Sequence, residues 1–219
     1  MRIGLGTNRL TPTAENEEFL RQAVEAGVDM IDTAHLYTGG DSEKAIGNAL
    51  APFPEGLVVA TKGGYRPGEG RPDVLRAQIE ESLERLRTDT IALYYLHRVD
   101  PETPLEESLG AIRELRDAGK IRDVGISEVT VDQIRRAQEI VPITAVQNEY
   151  SLVQRKHEEV VDYCTEQGIL FVPYFPLRGV GVPAREALAW LLERSPVILP
   201  IPGTLSIEHL RENLAVAEA

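Results

Sequence analysis

The sequence predicts an α/β fold, a single-domain (β/α)₈ TIM-type barrel with parallel strands, on three observations. Short apolar runs alternate with amphipathic helical patterns from one end to the other. Eight strand–helix units can be counted, with no linker or low-complexity stretch between them. A helix that ends in glycine and passes at once into a strand recurs three times, at Gly27, Gly119 and Gly168. Alternation of this kind requires crossover connections, and eight units suggest closure of a parallel sheet on itself. One domain over residues 1–219 is expected. The structural rival, an open doubly wound sheet, would show a glycine fingerprint after an early strand. Gly4-Leu5-Gly6 lacks the third glycine and is followed by Thr-Asn.

The elements follow in order. Residues 3–7 read as a short strand whose glycines let other groups approach closely. Phe19, Leu20, Ala23 and Val24 share one face of a helix over 15–26, and 28–31 is the next strand. Residues 41–50 are helical and 57–61 extended. Leu75, Ile79, Leu83 and Leu86 trace an amphipathic helix ahead of a strand at 91–96. Thr103-Pro104 with Glu106 reads as a helix start with a cap, a first-turn proline and a capping-box carboxylate. That helix stops at Gly119, before a strand at 121–126. Thr130 and Gln133 repeat the capping-box pattern, and 143–146 is extended. Val160, Val161 and Cys164 mark a helix before the strand at 169–172. Pro183 can start the helix carrying Trp190, 197–201 is the eighth strand, and 206–217 the closing helix.

With 219 residues, 42% hydrophobic and 26% charged, the chain can bury a substantial core. A net charge of -12 with no basic cluster argues against a nucleic-acid partner. Local glycine loops and helix N-termini can still hold an anionic cofactor. The single cysteine, Cys164, excludes an internal disulfide and reads as a small buried hydrophobe in a reducing compartment. No apolar run approaches the ~20 residues of a membrane span. Residues 1–4 already look like a strand, so a cytoplasmic protein without a signal peptide is expected. The acidic surface without an obvious apolar patch suggests a monomer.

In barrels the site forms at the C-terminal strand ends. Those positions hold Thr7-Asn8, Asp32, Lys62, His97-Arg98, Ser127-Glu128, Gln147-Asn148 and Tyr174. A layer this polar is costly to bury without function or mutual pairing. Asp32, Tyr37, Lys62 and His97 make a coherent set. A lysine beside a tyrosine should lower the phenol pKa, and a carboxylate on that lysine keeps it charged and placed. Such a phenol can protonate a carbonyl oxygen that gains electron density, while the histidine offers the same oxygen a hydrogen bond. The set has no electron source, so a hydride-carrying cofactor is required, and no metal. His35 inside the same stretch reads as a bystander.

Several motifs together resemble the aldo-keto reductase family, from the first strand to the last helix. They are Asp-Thr-Ala-x-x-Tyr at 32–37, Thr-Lys at 61–62, Leu-His-Arg at 96–98, Gly-Ile-Ser at 125–127, Val-Gln-Asn-Glu-Tyr-Ser at 146–151 and Ile-Pro-Gly-Thr at 201–204. The resemblance implies an NADPH-dependent reductase of small carbonyl substrates, with NADH as the alternative cofactor. It makes Tyr37 the proton donor, Lys62 and Asp32 its tuning pair, and His97 the substrate-orienting group. It assigns the cofactor to Gly6, Thr7, Ser127, Glu128, Gln147, Tyr174, Pro176, Leu177, Gly203, Thr204, His209 and Asn213. Ser127 and Gln147 would hold the nicotinamide carboxamide, Tyr174 would stack on its ring, and the last four would meet the adenosine and its 2′-phosphate. Gly203-Thr204 also precedes a helix near Ser206, whose free N–H groups suit an anion.

The chain departs from the family pattern in three places. Glu128 stands where asparagine is usual, and a carboxylate cannot donate to a carboxamide oxygen. His209 replaces an arginine expected on the 2′-phosphate, and a neutral imidazole pairs poorly with phosphate. The loop at 178–182 is short, and neither an N-terminal hairpin nor a C-terminal loop is seen, so an open site with weak cofactor retention and loose selectivity is expected. Few loop aromatics, Tyr65, Tyr150 and Phe175, are available to select a substrate. Two other classes compete: a non-catalytic nucleotide-binding scaffold, which would not need the four residues in register, and a phosphate-handling isomerase, which would need a carboxylate base.

Overall fold

A computed structural model describes residues 2–218. Seven parallel strands lie side by side in chain order. They are β1 (Leu5–Gly6), β2 (Met30–Asp32), β3 (Val58–Gly63), β4 (Ile91–Leu96), β5 (Ile121–Ser127), β6 (Ile143–Gln147) and β7 (Leu170–Phe171). Helices α1 (Ala14–Glu25), α2 (Asp41–Leu50), α3 (Pro72–Leu86), α4 (Leu105–Asp117), α5 (Val131–Gln138) and α6 (Glu158–Gln167) alternate with them, and α7 (Ala184–Arg194) and α8 (Ile207–Ala215) follow β7. Among the described residues no helix is long and apolar enough to cross a membrane.

The eighth strand expected at 197–201 is absent, and its sequence explains why. Pro200 and Pro202 carry no N–H, so the segment cannot return the hydrogen bonds that a ladder needs there. It still bridges the two edges of the sheet. Phe171 N–H donates to Val197 O and Leu199 N–H to Phe171 O, both at 2.9 Å. On the other side Gly4 and Gly6 donate to Pro200 O and Pro202 O at 3.0 and 3.3 Å. β1 passes this close because residue 6 is glycine: a Cβ there would lie 2.8 Å from Ile201 O.

Local signals were otherwise well placed. Gly27, Gly119 and Gly168 take φ of +99°, +82° and +66°, the left-handed region that ends a helix without steric cost. Thr130 and Gln133 form both bonds of a capping box. The cap expected at Thr103 is not made. Pro104 is the N-cap of α4, and the Thr103 hydroxyl instead donates to Asp100 at 2.9 Å. Asp100 also accepts the N–H groups of Gly68, Gly70 and Glu102, so the threonine serves a loop tie.

Two apolar regions form. The larger lies between strands and helices and includes Cys164, whose thiol burial pushes up to about 12. The smaller contains Met30, Ala60, Leu93, Tyr95, Ala145, Val172, Leu199 and Ile201 and no helical residue, so it fills the concave side of the sheet. Period-two alternation then puts Asp32, Lys62, His97, Gln147 and Tyr174 on that same side, one step further along their strands. β5 contributes Gly125 there, because a Cβ would come within 2.4 Å of the Tyr95 ring. The polar layer therefore sits directly above a small, filled apolar interior.

Outside the sheet a second buried charge holds the loop that carries Tyr37. Glu43 on α2 is fully buried; it accepts from Thr61 Oγ1 at 2.6 Å and from Arg85 Nη1 at 3.3 Å. Arg85 also donates to His35 O and to Glu81 at 3.2 and 2.8 Å. Arg85→Met leaves the Glu43 carboxylate buried without its cation. It is expected to lower stability by about 3 kcal/mol, read as a shift of the urea midpoint at constant m. A midpoint within experimental error of the parent would count against this account.

Candidate active site

Lys62 is the fixed point of the polar layer. Its ammonium donates to Asp32 Oδ1 at 2.6 Å, to Thr33 O at 2.7 Å and to Tyr37 Oη at 3.4 Å. Asp32 Oδ2 accepts Gln147 Nε2 at 2.8 Å from across the sheet. Register sets the stagger: Asp32 pairs with Ala60, so Lys62 stands two residues further along β3, and Ser127 pairs with Gln147. Tyr37 reaches in from the 3₁₀ turn Tyr37–Gly40, which begins five residues after β2. Thr7 supports Asp32 from below; its hydroxyl donates to Asp32 O at 2.8 Å and lies 2.9 Å from Ser42 Oγ.

The electrostatics differ from expectation in one respect. The Tyr37 phenol is not lowered. Burial pushes it above its ordinary range, against the pull of the Lys62 ammonium. Burial pushes Lys62 down, but Asp32 and Tyr37 more than offset this, and its pKa ends raised. Burial, then Lys62 and Arg98, bring His97 down to about 2, so its imidazole is neutral at any physiological pH. Its Nδ1 is buried without a hydrogen-bond partner.

These groups open onto a cavity of about 240 Å³. Gly6, Thr7, Asp32, Tyr37, His97, Ser127, Gln147, Tyr174, Pro176 and Gly203 all line it, as the sequence led us to expect. Asn8 and Arg98, read at the strand ends without a role, line it too, as do Tyr65 and Phe175, two of the aromatics expected to be available for a substrate. Arg98 was legible as the neighbour of His97 in Leu-His-Arg. Its guanidinium donates to Ser127 Oγ at 3.1 Å and lies 5.2 Å and 5.8 Å from the ring centroids of Tyr65 and Tyr174. Tyr65 also packs on His97, with centroids 4.8 Å apart.

Six expected residues are not among those lining this cavity, and the fully buried Lys62, behind Asp32 and Tyr37, is one of them. Glu128 turns away to Glu149 N–H and His157, because φ of +56° redirects the chain just after β5. Leu177 packs against the larger core. Thr204 lies in a shallow cleft with Gly6–Leu10 and accepts Ser206 N–H at 3.0 Å. His209 is exposed, and its backbone N–H is taken by the Ser206 cap. Asn213 is buried beside a separate cavity of about 400 Å³ between α7 and α8. Tyr150 and Trp190 stack on each other at 5.9 Å, and neither lines the main cavity. His35 pairs with Glu81 at 2.8 Å outside it.

The comparisons with known proteins agree on one relationship. The model of the Aldo/keto reductase family matches residues 2–182. An uncharacterized oxidoreductase of Schizosaccharomyces pombe is 37% identical over 249 aligned positions, covering 99% of this chain and 81% of that protein. That alignment is longer than this chain, so the relative carries insertions within the matched span. Pyridoxine 4-dehydrogenase of Escherichia coli is 35% identical over 225 positions, covering 90% of this chain and 79% of the enzyme. A thermostable aldo-keto reductase crystallised with the inhibitor epalrestat has a TM-score of 0.90 at 32% identity, over 100% of this chain and 90% of that one. An aldo/keto reductase of Klebsiella pneumoniae in complex with NADP and acetate gives 0.86 at 26% identity, over 100% and 86%. By fold, by sequence and by the residues gathered at its strand ends, the chain belongs to the aldo/keto reductase family.

Proposed function

We propose that the protein reduces an aldehyde or ketone to the alcohol with NADPH, on a (β/α)₈ barrel whose eighth stave is the segment 197–203. The observation that carries this reading is the Lys62 ammonium, held between Asp32 and Tyr37 beside a cavity that His97 also lines. NADPH is favoured over NADH because Klebsiella relatives were crystallised with NADP and with NADPH.

The residues present fit that cofactor. Gln147 Nε2 is engaged by Asp32, which leaves its Oε1 as an acceptor for a carboxamide NH₂. Ser127 Oγ accepts from Arg98, which leaves its O–H to donate to the carboxamide oxygen. Tyr174 offers a ring wall, and Gly203, Thr204 and Asn213 lie on the adenosine side. When bound, the cofactor supplies the hydride to the carbonyl carbon. Everything else falls to the chain. His97, being neutral, donates a hydrogen bond from its ring N–H and orients the carbonyl oxygen without adding a charge. Tyr37 keeps its proton until that oxygen becomes an alkoxide, which is more basic than any phenolate. Lys62, charged through its pairing with Asp32, then stabilises the phenolate that remains.

Tyr37→Phe is expected to cut turnover of an activated aldehyde by about 10²–10⁴-fold while NADPH binding is retained. Steady-state rates and the emission of bound NADPH report the two separately. NADPH emission suits this better than Trp190 fluorescence, since Trp190 lies off the cavity. Failure of the parent protein to bind NADPH or NADH would sink the reading.

The pH dependence follows from the directions of the shifts. Reduction needs Tyr37 protonated, and its pKa is raised, so the acid form persists through and above neutrality. His97 titrates near 2, far below the assay range, so it adds no limb. The rate constant kcat/KM at saturating NADPH should be flat from about pH 6 to about pH 9, falling only in stronger alkali. A limb near the ordinary histidine pKa that disappears in His97→Gln would contradict the neutral-imidazole role.

A further inference from the structure

Arg98 brings to the cavity a charge that nothing around it balances. It lines the cavity together with His97 and is half-buried. Its Nη1 donates to His97 O at 2.7 Å and to Ser127 Oγ at 3.1 Å. Among the described residues no acceptor takes its Nε or Nη2, and no carboxylate forms an ion pair with it. The carboxylates of this end of the barrel are spent elsewhere. Asp32 is taken by Lys62 and Gln147. Glu128 accepts Glu149 N–H at 2.7 Å and lies 3.4 Å from His157 Nε2. Asp100, two residues after Arg98, collects the N–H groups of Gly68, Gly70 and Glu102 and the Thr103 hydroxyl. Since Lys62 offsets Asp32, the guanidinium is the uncompensated charge of the lining. A cation withdrawn from water without a counter-ion is costly, and a guanidinium is suited to a planar, two-oxygen partner.

The guanidinium is also held in place. It lies 5.2 Å from the Tyr65 ring centroid and 5.8 Å from that of Tyr174. Tyr65 sits on a loop with little freedom. Glu69 accepts the N–H groups of Tyr65 and Arg66 at 3.1 and 3.0 Å, and Asp100 ties Gly68 and Gly70 to the segment that follows Arg98. The Tyr65 ring packs on His97 as well, with centroids 4.8 Å apart. One ring thus adjoins both the imidazole and the guanidinium. A molecule whose carbonyl oxygen meets His97 has the cation within reach of a second group. In a protein of net charge -12, a lone cation at that place selects for an anion on the incoming molecule.

We propose that the preferred substrates are oxo acids, small carbonyl compounds that also bear a carboxylate, and that Arg98 grips this carboxylate with Nε and Nη2. The proposal rests on the reading of the cavity as a site of carbonyl reduction. Two free donors on one planar group match the two oxygens of a carboxylate. A phosphate would bring a third oxygen and a second charge, with one cation and two phenol rings to meet them. Arg98 is then a specificity residue: it touches the substrate away from the reacting carbon and takes no part in proton transfer.

The test uses pairs of aldehydes that differ in charge alone: para-carboxybenzaldehyde with its amide, and succinic semialdehyde with its methyl ester. In at least one pair the parent should favour the acid in kcat/KM by about tenfold to a hundredfold. Arg98→Met should bring that ratio to about one or below, and Arg98→Lys, which keeps the charge and loses the fork, should retain part of it. An Arg98 that only supports Ser127 or the cofactor would lower both members of a pair alike and leave the ratio untouched. A parent without preference in either pair, or a preference that survives Arg98→Met, would overturn the proposal. A second measurement needs no turnover. In ¹⁵N-arginine-labelled protein with NADP present, benzoate should shift the Arg98 Nε–H resonance, identified by its loss in Arg98→Met, and benzamide should not. If the parent reduces neither member of either pair with NADPH or NADH, the reductase reading falls and this titration decides alone. A shift with benzoate only would uphold the carboxylate site, and no shift would overturn it.

Discussion

Two opposite charges sit side by side with almost no access to water: Lys62 is 0% exposed and the Asp32 side chain 2%. An ion moved into such a place costs several kcal/mol, and the attraction between the pair repays it only when the remaining donors and acceptors are also met. Here they are met. Asp32 gives its second oxygen to Gln147, and Lys62 gives its other hydrogens to Thr33 O and Tyr37. Loss of any of these would leave a buried charge under-satisfied, so β2, β3 and β6 must keep their register and the Tyr37 turn must fold inward. An apolar pair of similar volume could hold the strands equally well. It could not present an ammonium to a phenol.

That pairing also explains why the phenol is raised and not lowered. The Lys62 charge is largely compensated by a carboxylate at 2.6 Å, while the phenol is at 3.4 Å. The field left over for Tyr37 is small, and burial decides the direction. The same seclusion acts on His97 with the opposite chemical result, because burial always disfavours the charged form: an acid is kept protonated, a base is kept neutral. The layer thus carries a neutral acid and a neutral hydrogen-bonding ring around one compensated ion pair.

Much of this was legible from the sequence, where residue type alone decides the outcome. Glycine at a helix end, the Thr130–Gln133 capping box and the alternation that puts Asp32, Lys62, His97 and Gln147 on one face all depend on local geometry. The misses arose where two demands competed. Residues 197–201 are as apolar as a strand, but prolines at 200 and 202 remove the donors that a ladder needs. Thr103 has the form of a cap, but Asp100 already collects loop N–H groups nearby and takes its hydroxyl as well. Glu128 stands in the expected place in the chain, and a left-handed φ turns it to the other side. The sign of the Tyr37 shift required knowing how deeply the phenol is buried, which no spacing of residues conveys.

The two sides of the cavity are consequently held in different ways. On the side of β2, β3 and β4, the six-residue strands β3 and β4 and a buried ion pair fix Asp32, Lys62, Tyr37 and His97, and register leaves them little freedom. On the side of β7 the strand is two residues long, and Phe175 takes a left-handed φ of +52°. The wall there depends on side-chain contacts instead: Phe175 edge-on to Tyr174, Arg98 near Tyr174, and Arg178 4.0 Å from the Phe175 ring. Contacts of this kind cost little to exchange one by one, whereas a strand register changes only as a whole. The buried ion pair therefore sits on the part of the fold that cannot shift by degrees, and the Tyr174 wall of the cavity sits on the part that can.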